Sequence, residues 1–152
     1  MSLPPVRRQT DPLHWEGVDV RVYKEEGEAP FRAVTRQVLF SDTALRCELR
    51  YFEVAPGGHT TLERHEHAHA VVIQRGAGRC LVGEAVFDVT PFDLVHIPAM
   101  TWHQFRATPD QPLGFLCMVN AERDRPQLPD AGELERLCAS PVVAAFLGRT
   151  RT

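Results

Sequence analysis

Eight or nine short segments of alternating apolar and polar residues follow one another from Trp15 to Asn120, each stopped by Gly, Pro, Asn or Asp. No helical period interrupts them, and no repeat of solenoid length appears. Side chains on a strand alternate faces with period 2, so such segments are strands with one buried face. Without helices between them the strands cannot form a parallel sheet. The pattern predicts an all-β sandwich or barrel, and closure is the usual way to remove exposed edges.

Taken in order, Trp15 to Tyr23 alternates around Val18, Val20 and Val22 and predicts a first strand. Phe31 to Phe40 is a second, and Ser41-Asp42 a turn. Leu45 to Val54 is a longer strand, with Leu45, Cys47, Leu49 and Tyr51 on one face, broken by Pro56-Gly57-Gly58. Ala70 to Gln74 reads as a buried strand. Arg79 to Val82 and Ala85 to Val89 flank Gly83-Glu84 as a hairpin. Phe92 to Ile97, Thr101 to Arg106 and Leu113 to Asn120 complete the set. The period changes only after Pro129. There Asp130 and Glu133 make a capping box, Leu134, Leu137 and Cys138 make a helical stripe, and Val142 to Leu147 adds a turn.

Composition narrows the class. A chain of 152 residues is one domain, large enough to bury a core without staples. Its net charge of -3 argues against a nucleic-acid binder, which usually carries a basic face. No apolar run reaches the length of a membrane helix. The N-terminal stretch MSLPPVRRQTDPLHW lacks the apolar region of a secretory leader, so a cytoplasmic location is expected. Cys47, Cys80, Cys117 and Cys138 form no C-x-x-C pair, and reduced, mostly buried thiols are expected.

The chemistry concentrates in Pro56 to Gly78, PGGHTTLERHEHAHAVVIQRGAG. Glu63, His65, His67 and His69 stand at alternate positions, hence on one face of a strand. Neutral imidazole is the commonest ligand for Zn, Fe, Ni and Cu, and carboxylate suits Mn. The bland alternative is the solvated face of an edge strand. Four ligand-type groups together favour a metal site.

The spacing of these residues resembles the cupin family, small double-stranded β-helix or jelly-roll barrels. Their first motif is G-x5-H-x-H-x3,4-E-x6-G. Gly57, Glu63, His65, His69 and Gly76 reproduce its spacing, with Glu63 in the place of the first His and His69 in that of the Glu. The second motif is G-x5-P-x-G-x2-H-x3-N. Pro98 and His103 match it, whereas Phe92, Met100 and Ala107 replace Gly, Gly and Asn. The resemblance covers residues 40–120 and implies a barrel there, with N-terminal strands or arm over 1–39 and a helical tail over 121–152. It also implies a divalent ion (Zn, Fe, Mn or Ni) and a homodimer.

On a straight strand His65 and His69 lie roughly 13 Å apart and cannot share an ion. In cupins the chain turns between these positions, which would gather Glu63, His65, His69 and His103 and leave His67 in the turn. A register slipped by two would pair His65 with His67 instead. The contest for the last ligand place therefore lies between His67 and Glu63, and Glu63 is otherwise a candidate general base. Among the remaining histidines, His14 is expected solvated, His59 at most at the rim, and His96 partly buried. Phe105, Val71 and Ile73 are expected to wall an apolar pocket, and Trp102 to serve either packing or ligand contact.

The expected function is a metal-dependent enzyme on a small organic molecule, of dioxygenase, isomerase or decarboxylase type. The alternative is a cupin that binds or senses a small ligand without turnover. No serine or cysteine stands beside a base in the sequence to support covalent catalysis.

Overall fold

A 13-residue strand, β5 (Cys47–His59), is the spine of the sheet. The computed structural model describes residues 4–11, 13–22 and 32–149. Along one edge of β5 lies β4 (Arg32–Asp42), paired from Val34↔Val54 to Asp42↔Cys47. Along the other lies β11 (Leu113–Asn120), paired from Leu113↔Val54 to Asn120↔Cys47. Past Val54, β5 changes partner and meets β10 (His103–Ala107) at His59↔Arg106.

That change of partner explains Pro56-Gly57-Gly58. The sequence predicts that these residues end the strand, but β5 runs through them. Gly57 takes a left-handed φ of 71°, and its N–H donates to the Thr108 carbonyl at 2.9 Å. The irregular residues turn a barrel corner, a known use of Gly and Pro in strands.

The remaining strands are β6 (His69–Gly76), β7 (Gly78–Val82), β8 (Ala85–Val89) and β9 (Leu94–Ile97). The sheet is antiparallel, in the order β8-β7-β10-β5-β11-β6-β9 with β4 on β5, and it curls around one apolar cluster that includes Phe52, Val71, Ile73, Ile97, Phe105 and Phe115. The β7–β8 hairpin and β11 stand where the alternation places them. β9 is shorter than expected, because Phe92 and Asp93 belong to the preceding turn.

Three expectations near the N-terminus need correction. The stretch from Trp15 is two pieces, β2 (His14–Trp15) and β3 (Arg21–Val22), separated by a turn at Gly17 with φ 67°; Tyr23 and Phe31 lie outside the described residues. β2 pairs with β1 (Gln9–Asp11) in a separate two-stranded sheet. Ser41 and Asp42 end β4, and the turn follows them, with Asp42 Oδ1 accepting from the Leu45 N–H at 2.8 Å. The core-facing side of β5 carries Arg50, Phe52 and Val54, not Leu45, Cys47 and Leu49. Tyr51 is fully buried on the other side, under Trp15 at 5.0 Å between ring centroids. β5 is apolar on both faces because this N-terminal segment covers the outer one, so alternation alone picked the wrong face.

The C-terminal segment forms α1 (Ala131–Leu137), with the full capping box between Asp130 and Glu133, and α2 (Pro141–Phe146). Leu137, Val143 and Phe146 bury against Leu62 and Leu81, with Trp102 packed on the edge of this second cluster. Leu62 precedes Glu63 and Trp102 precedes His103, so the tail fixes the backbone on both sides of the histidine-rich end of the barrel.

Candidate metal centre

His69 is the first residue of β6 and His103 the first of β10. His65 lies on the loop before β6. That loop is no strand: it bends at Glu66 and His67. An antiparallel bridge between Glu63 and His103 holds its entry, with N–H···O bonds of 3.2 and 3.0 Å. Arg64 ties it to the tail through the Glu133 carboxylate at 2.8 Å and lies over the Trp102 ring at 4.4 Å. The straight four-residue face expected from alternation is thereby replaced by a bend that brings His65, His69 and His103 together.

One ring nitrogen of each of these three histidines lies within 4.8 Å of the others. The Nε2 atoms of His65 and His69 are 2.6 Å apart. Backbone carbonyls set two of the tautomers. His65 Nδ1 is 2.8 Å from the His67 carbonyl and His103 Nδ1 is 2.9 Å from the Thr101 carbonyl. A carbonyl oxygen only accepts, so both Nδ1 atoms carry the proton and both Nε2 atoms present lone pairs. This is the support that metal-binding histidines ordinarily receive from their other ring nitrogen. His69 Nδ1 instead faces the Cys117 thiol at 2.9 Å.

All three rings are nearly inaccessible, and burial in each case pushes the imidazole below its ordinary range, His103 down to about 4 and His69 further. Neutral imidazoles are what a metal needs. Glu63 Oε1 sits 3.8 Å from His103 Nε2 and 4.0 Å from His65 Nε2, at the edge of the same cluster. His67 is buried but turned away. Its ring stacks on His65 with centroids 3.7 Å apart, and its Nδ1 meets Asp124 Oδ1 at 2.7 Å.

Asp124, which sequence reasoning passed over, also accepts from the N–H groups of Glu66 at 2.7 Å and His67 at 3.3 Å. Partial burial pushes its carboxyl upward, but these donors outweigh that and hold it down to about 2. No spacing signal ties Asp124 to a loop so far back in the chain. Cys117 was missed for a similar reason: it and His69 meet only through the β6–β11 pairing, so a thiol does stand beside an imidazole here. Arg50 left a trace, a charge in the same period as Phe52 and Val54.

An internal cavity of about 50 Å³ opens beside the cluster. Phe52, Val71, Ile97, Phe105 and Phe115 line it, with Arg50, Thr60, Thr61, Glu63, His69, His103 and Cys117 as its polar groups. Ile73, expected on this wall, is in the core beneath. His69 also borders an open groove of about 500 Å³ that runs past Leu45, Ala70, His96 and Met118. Of the other histidines, His14 is exposed as expected. His59 is half-buried with Nδ1 on the Thr60 carbonyl. His96 is exposed rather than partly buried, because it points off the outer face of β9. Trp102 packs against the tail cluster.

The cupin domain pattern matches residues 50–119. Over 143 residues the chain is 62% identical to 1-methylthio-D-xylulose 5-phosphate methylsulfurylase of Rhodospirillum rubrum, covering 94% of this chain and 92% of that protein. The chain belongs to the cupin family. Among solved structures, a cupin 2 conserved barrel domain protein of Rhodopseudomonas palustris superposes with a TM-score of 0.87 at 59% identity, over 93% of this chain and 97% of that one. A cupin-2 domain protein of Rhodospirillum rubrum gives 0.85 at 60%, over 96% of each chain. A polyketide cyclase of Streptomyces resistomycificus shares the fold at 23% identity, with a TM-score of 0.69 over 90% of this chain and 98% of that one.

This cupin carries no glycine at two positions of the second motif where the family's pattern has one. Phe92 and Met100 stand at the two glycine positions of the second motif, and both hold left-handed φ, 73° and 56°. The turns that flank Pro98 and His103 are therefore held in a conformation that favours glycine, at the cost of local strain.

Proposed function

We propose that this cupin is a metal-dependent enzyme that acts on a phosphorylated 1-methylthio-ketopentose, as the name of its Rhodospirillum rubrum relative describes. The observation that carries the metal reading is the convergence of three neutral, buried imidazoles, two with their lone pairs fixed by backbone carbonyls. The substrate reading rests on 62% identity across nearly the whole of both chains. The name implies transfer of a methylthio group, a class outside the dioxygenase, isomerase and decarboxylase types that the fold suggests.

In this reading His65, His69 and His103 hold the ion, and Glu63 takes the fourth place. His67 stacks behind His65 and is steadied by Asp124. A divalent ion of the Zn, Fe, Mn or Ni group would act as a Lewis acid on a carbonyl or enolate oxygen. Breaking a carbon–sulfur bond at carbon 1 with the electrons left on carbon would place charge on the adjacent C2 oxygen; the methylthio group would pass to a thiol co-substrate as a methyl disulfide, and the thiol's proton would end on carbon 1. The internal cavity admits only the reacting head of such a substrate, and the groove past His69 accommodates the rest. Phe105, Phe115 and Val71 exclude water around it.

The test is to incubate purified, metal-loaded protein with 1-methylthio-D-xylulose 5-phosphate and a low-molecular-weight thiol, and follow the S-methyl proton signal. The reading predicts metal-dependent loss of the substrate signal, abolished in His103→Ala. A substrate that stays intact with fully loaded protein contradicts it.

The working assembly proposed is a homodimer. Leu45, Leu94 and Met118 are more than half exposed near the groove mouth and the outer sheet face. Burial of at least ~1,000 Å² is expected for a stable pair. A monomer mass by sedimentation at micromolar concentration would contradict this.

A further inference from the structure

Arg50 follows the period of Phe52 and Val54 and so points into the barrel, where it is 5% exposed. Its guanidinium lies over the Phe52 ring at 5.0 Å, and its Nη2 donates to Cys117 Sγ at 3.6 Å. None of the ion pairs among the described residues involves it, and its Nε has no hydrogen-bond partner. A buried cation with no close ion pair among the described residues and without full hydrogen bonding is costly. An unsatisfied buried polar group of this kind calls for a partner that the fold itself does not supply.

A second group on the same wall is in the same condition. Thr61 is 1% exposed, and its hydroxyl has no partner. Arg50 and Thr61 line one cavity with Glu63, His69, His103 and Cys117. Two donors that lack acceptors thus face a space bordered by the candidate metal cluster. A negatively charged ligand oxygen would satisfy both. The cavity of about 50 Å³ has room for a few heavy atoms, which suits a flat head group rather than a whole sugar phosphate.

We propose that Arg50 and Thr61 form an oxyanion-binding site, which receives the planar enolate head of the substrate, its C2 oxygen together with the neighbouring C3 hydroxyl. Arg suits this role because its fork of N–H donors matches two coplanar oxygens. The assignment rests on the reading above, in which the neighbouring histidines hold a metal and the head of the substrate enters the cavity. It adds a residue that sets which head groups are accepted.

The test uses oxalate, a planar dianion, titrated calorimetrically into manganese-loaded and metal-free protein, with metal content measured for every sample. Wild type is expected to bind oxalate. Arg50→Met is expected to keep its metal and bind oxalate at least tenfold more weakly, and Thr61→Val several-fold more weakly. Arg50→Lys, which keeps the charge but not the fork, should fall between wild type and Arg50→Met. It also serves as the reporter if Arg50→Met does not fold. Oxalate affinity unchanged in Arg50→Met or Arg50→Lys overturns the assignment. So does Arg50-dependent binding of inorganic phosphate in preference to oxalate, because the site would then be built for a tetrahedral anion. If wild type takes up no metal, the metal reading fails separately. Metal-free wild type that then binds oxalate through Arg50 still supports the oxyanion site, and metal-free protein that binds none overturns it.

Discussion

Nε2 of His65 and Nε2 of His69 face each other at 2.6 Å. His65 donates its only ring proton to a backbone carbonyl, so its Nε2 is a lone pair. His69 must then turn an N–H toward it, or both must face a cation. In the first state His69 Nδ1 accepts from the Cys117 thiol, and in the second it donates to the sulfur. Cys117 can serve both tautomers because a thiol both donates and accepts.

That gives a first prediction. Cys117→Val removes the partner of His69 Nδ1 and should weaken metal binding by about tenfold or more, the usual effect of losing an outer-shell partner. Cys117→Ser keeps a group that donates and accepts and should stay much closer to wild type. Competition against a chelator of known affinity measures both. Equal affinity in wild type and Cys117→Val would remove Cys117 from the account.

Acid should destabilise the metal-free protein earlier than a carboxylate-driven transition would. Burial holds His103 down to about 4, against about 6.5 in the unfolded chain. The folded-state value is depressed, so the unfolded state binds more protons between these limits. Stability is fully present above about pH 6.5 and is lost as pH falls toward 4. His103 alone accounts for a loss on the order of 3 kcal/mol, and His65, His67 and His69 act in the same direction. Urea unfolding at pH 7, 5.5 and 4.5 checks this. Constant stability over that range would contradict the buried, neutral cluster.

Phe92 and Met100 carry positive φ without being glycine. Phe92 is 85% exposed, so its ring contributes little packing. Phe92→Gly should raise stability by about 1 kcal/mol, as relief of left-handed strain exceeds the added chain entropy. Met100→Gly should act in the same direction, reduced by the few contacts that an exposed side chain makes. Thermal unfolding of the two variants measures it. A lower midpoint for Phe92→Gly would mean that the ring has a role beyond the turn.

Much of this architecture was legible in the residues. Alternation located β7, β8 and β11, and the Asp130–Glu133 pair marked its helix, because each of these is decided by local contacts. The motif spacing brought His65, His69 and His103 to one place, although simple alternation would have spread them along a straight strand. Local rules failed where long-range contacts decide. Pro56-Gly57-Gly58 reads as a stop, but the strand continues because β10 takes over from β11 as its partner. The buried face of β5 was misread because the segment around Trp15 covers Tyr51. Asp124 and Cys117 reach the site only through the tertiary fold, and neither their type nor their spacing announces a link to His67 or His69.

The most direct test of the account is the metal content of two single variants, His103→Ala and His67→Ala, measured by plasma mass spectrometry after identical purification. In this account His103 is the ligand from the second motif, and no neighbouring residue in its strand could replace it. His67 stacks outside the converging group with its Nδ1 on Asp124. The account predicts that His103→Ala loses most of its metal while His67→Ala keeps most of it. Loss in His67→Ala with retention in His69→Ala would mean that His65 pairs with His67, and metal retained in His103→Ala would mean that the cluster is not the site.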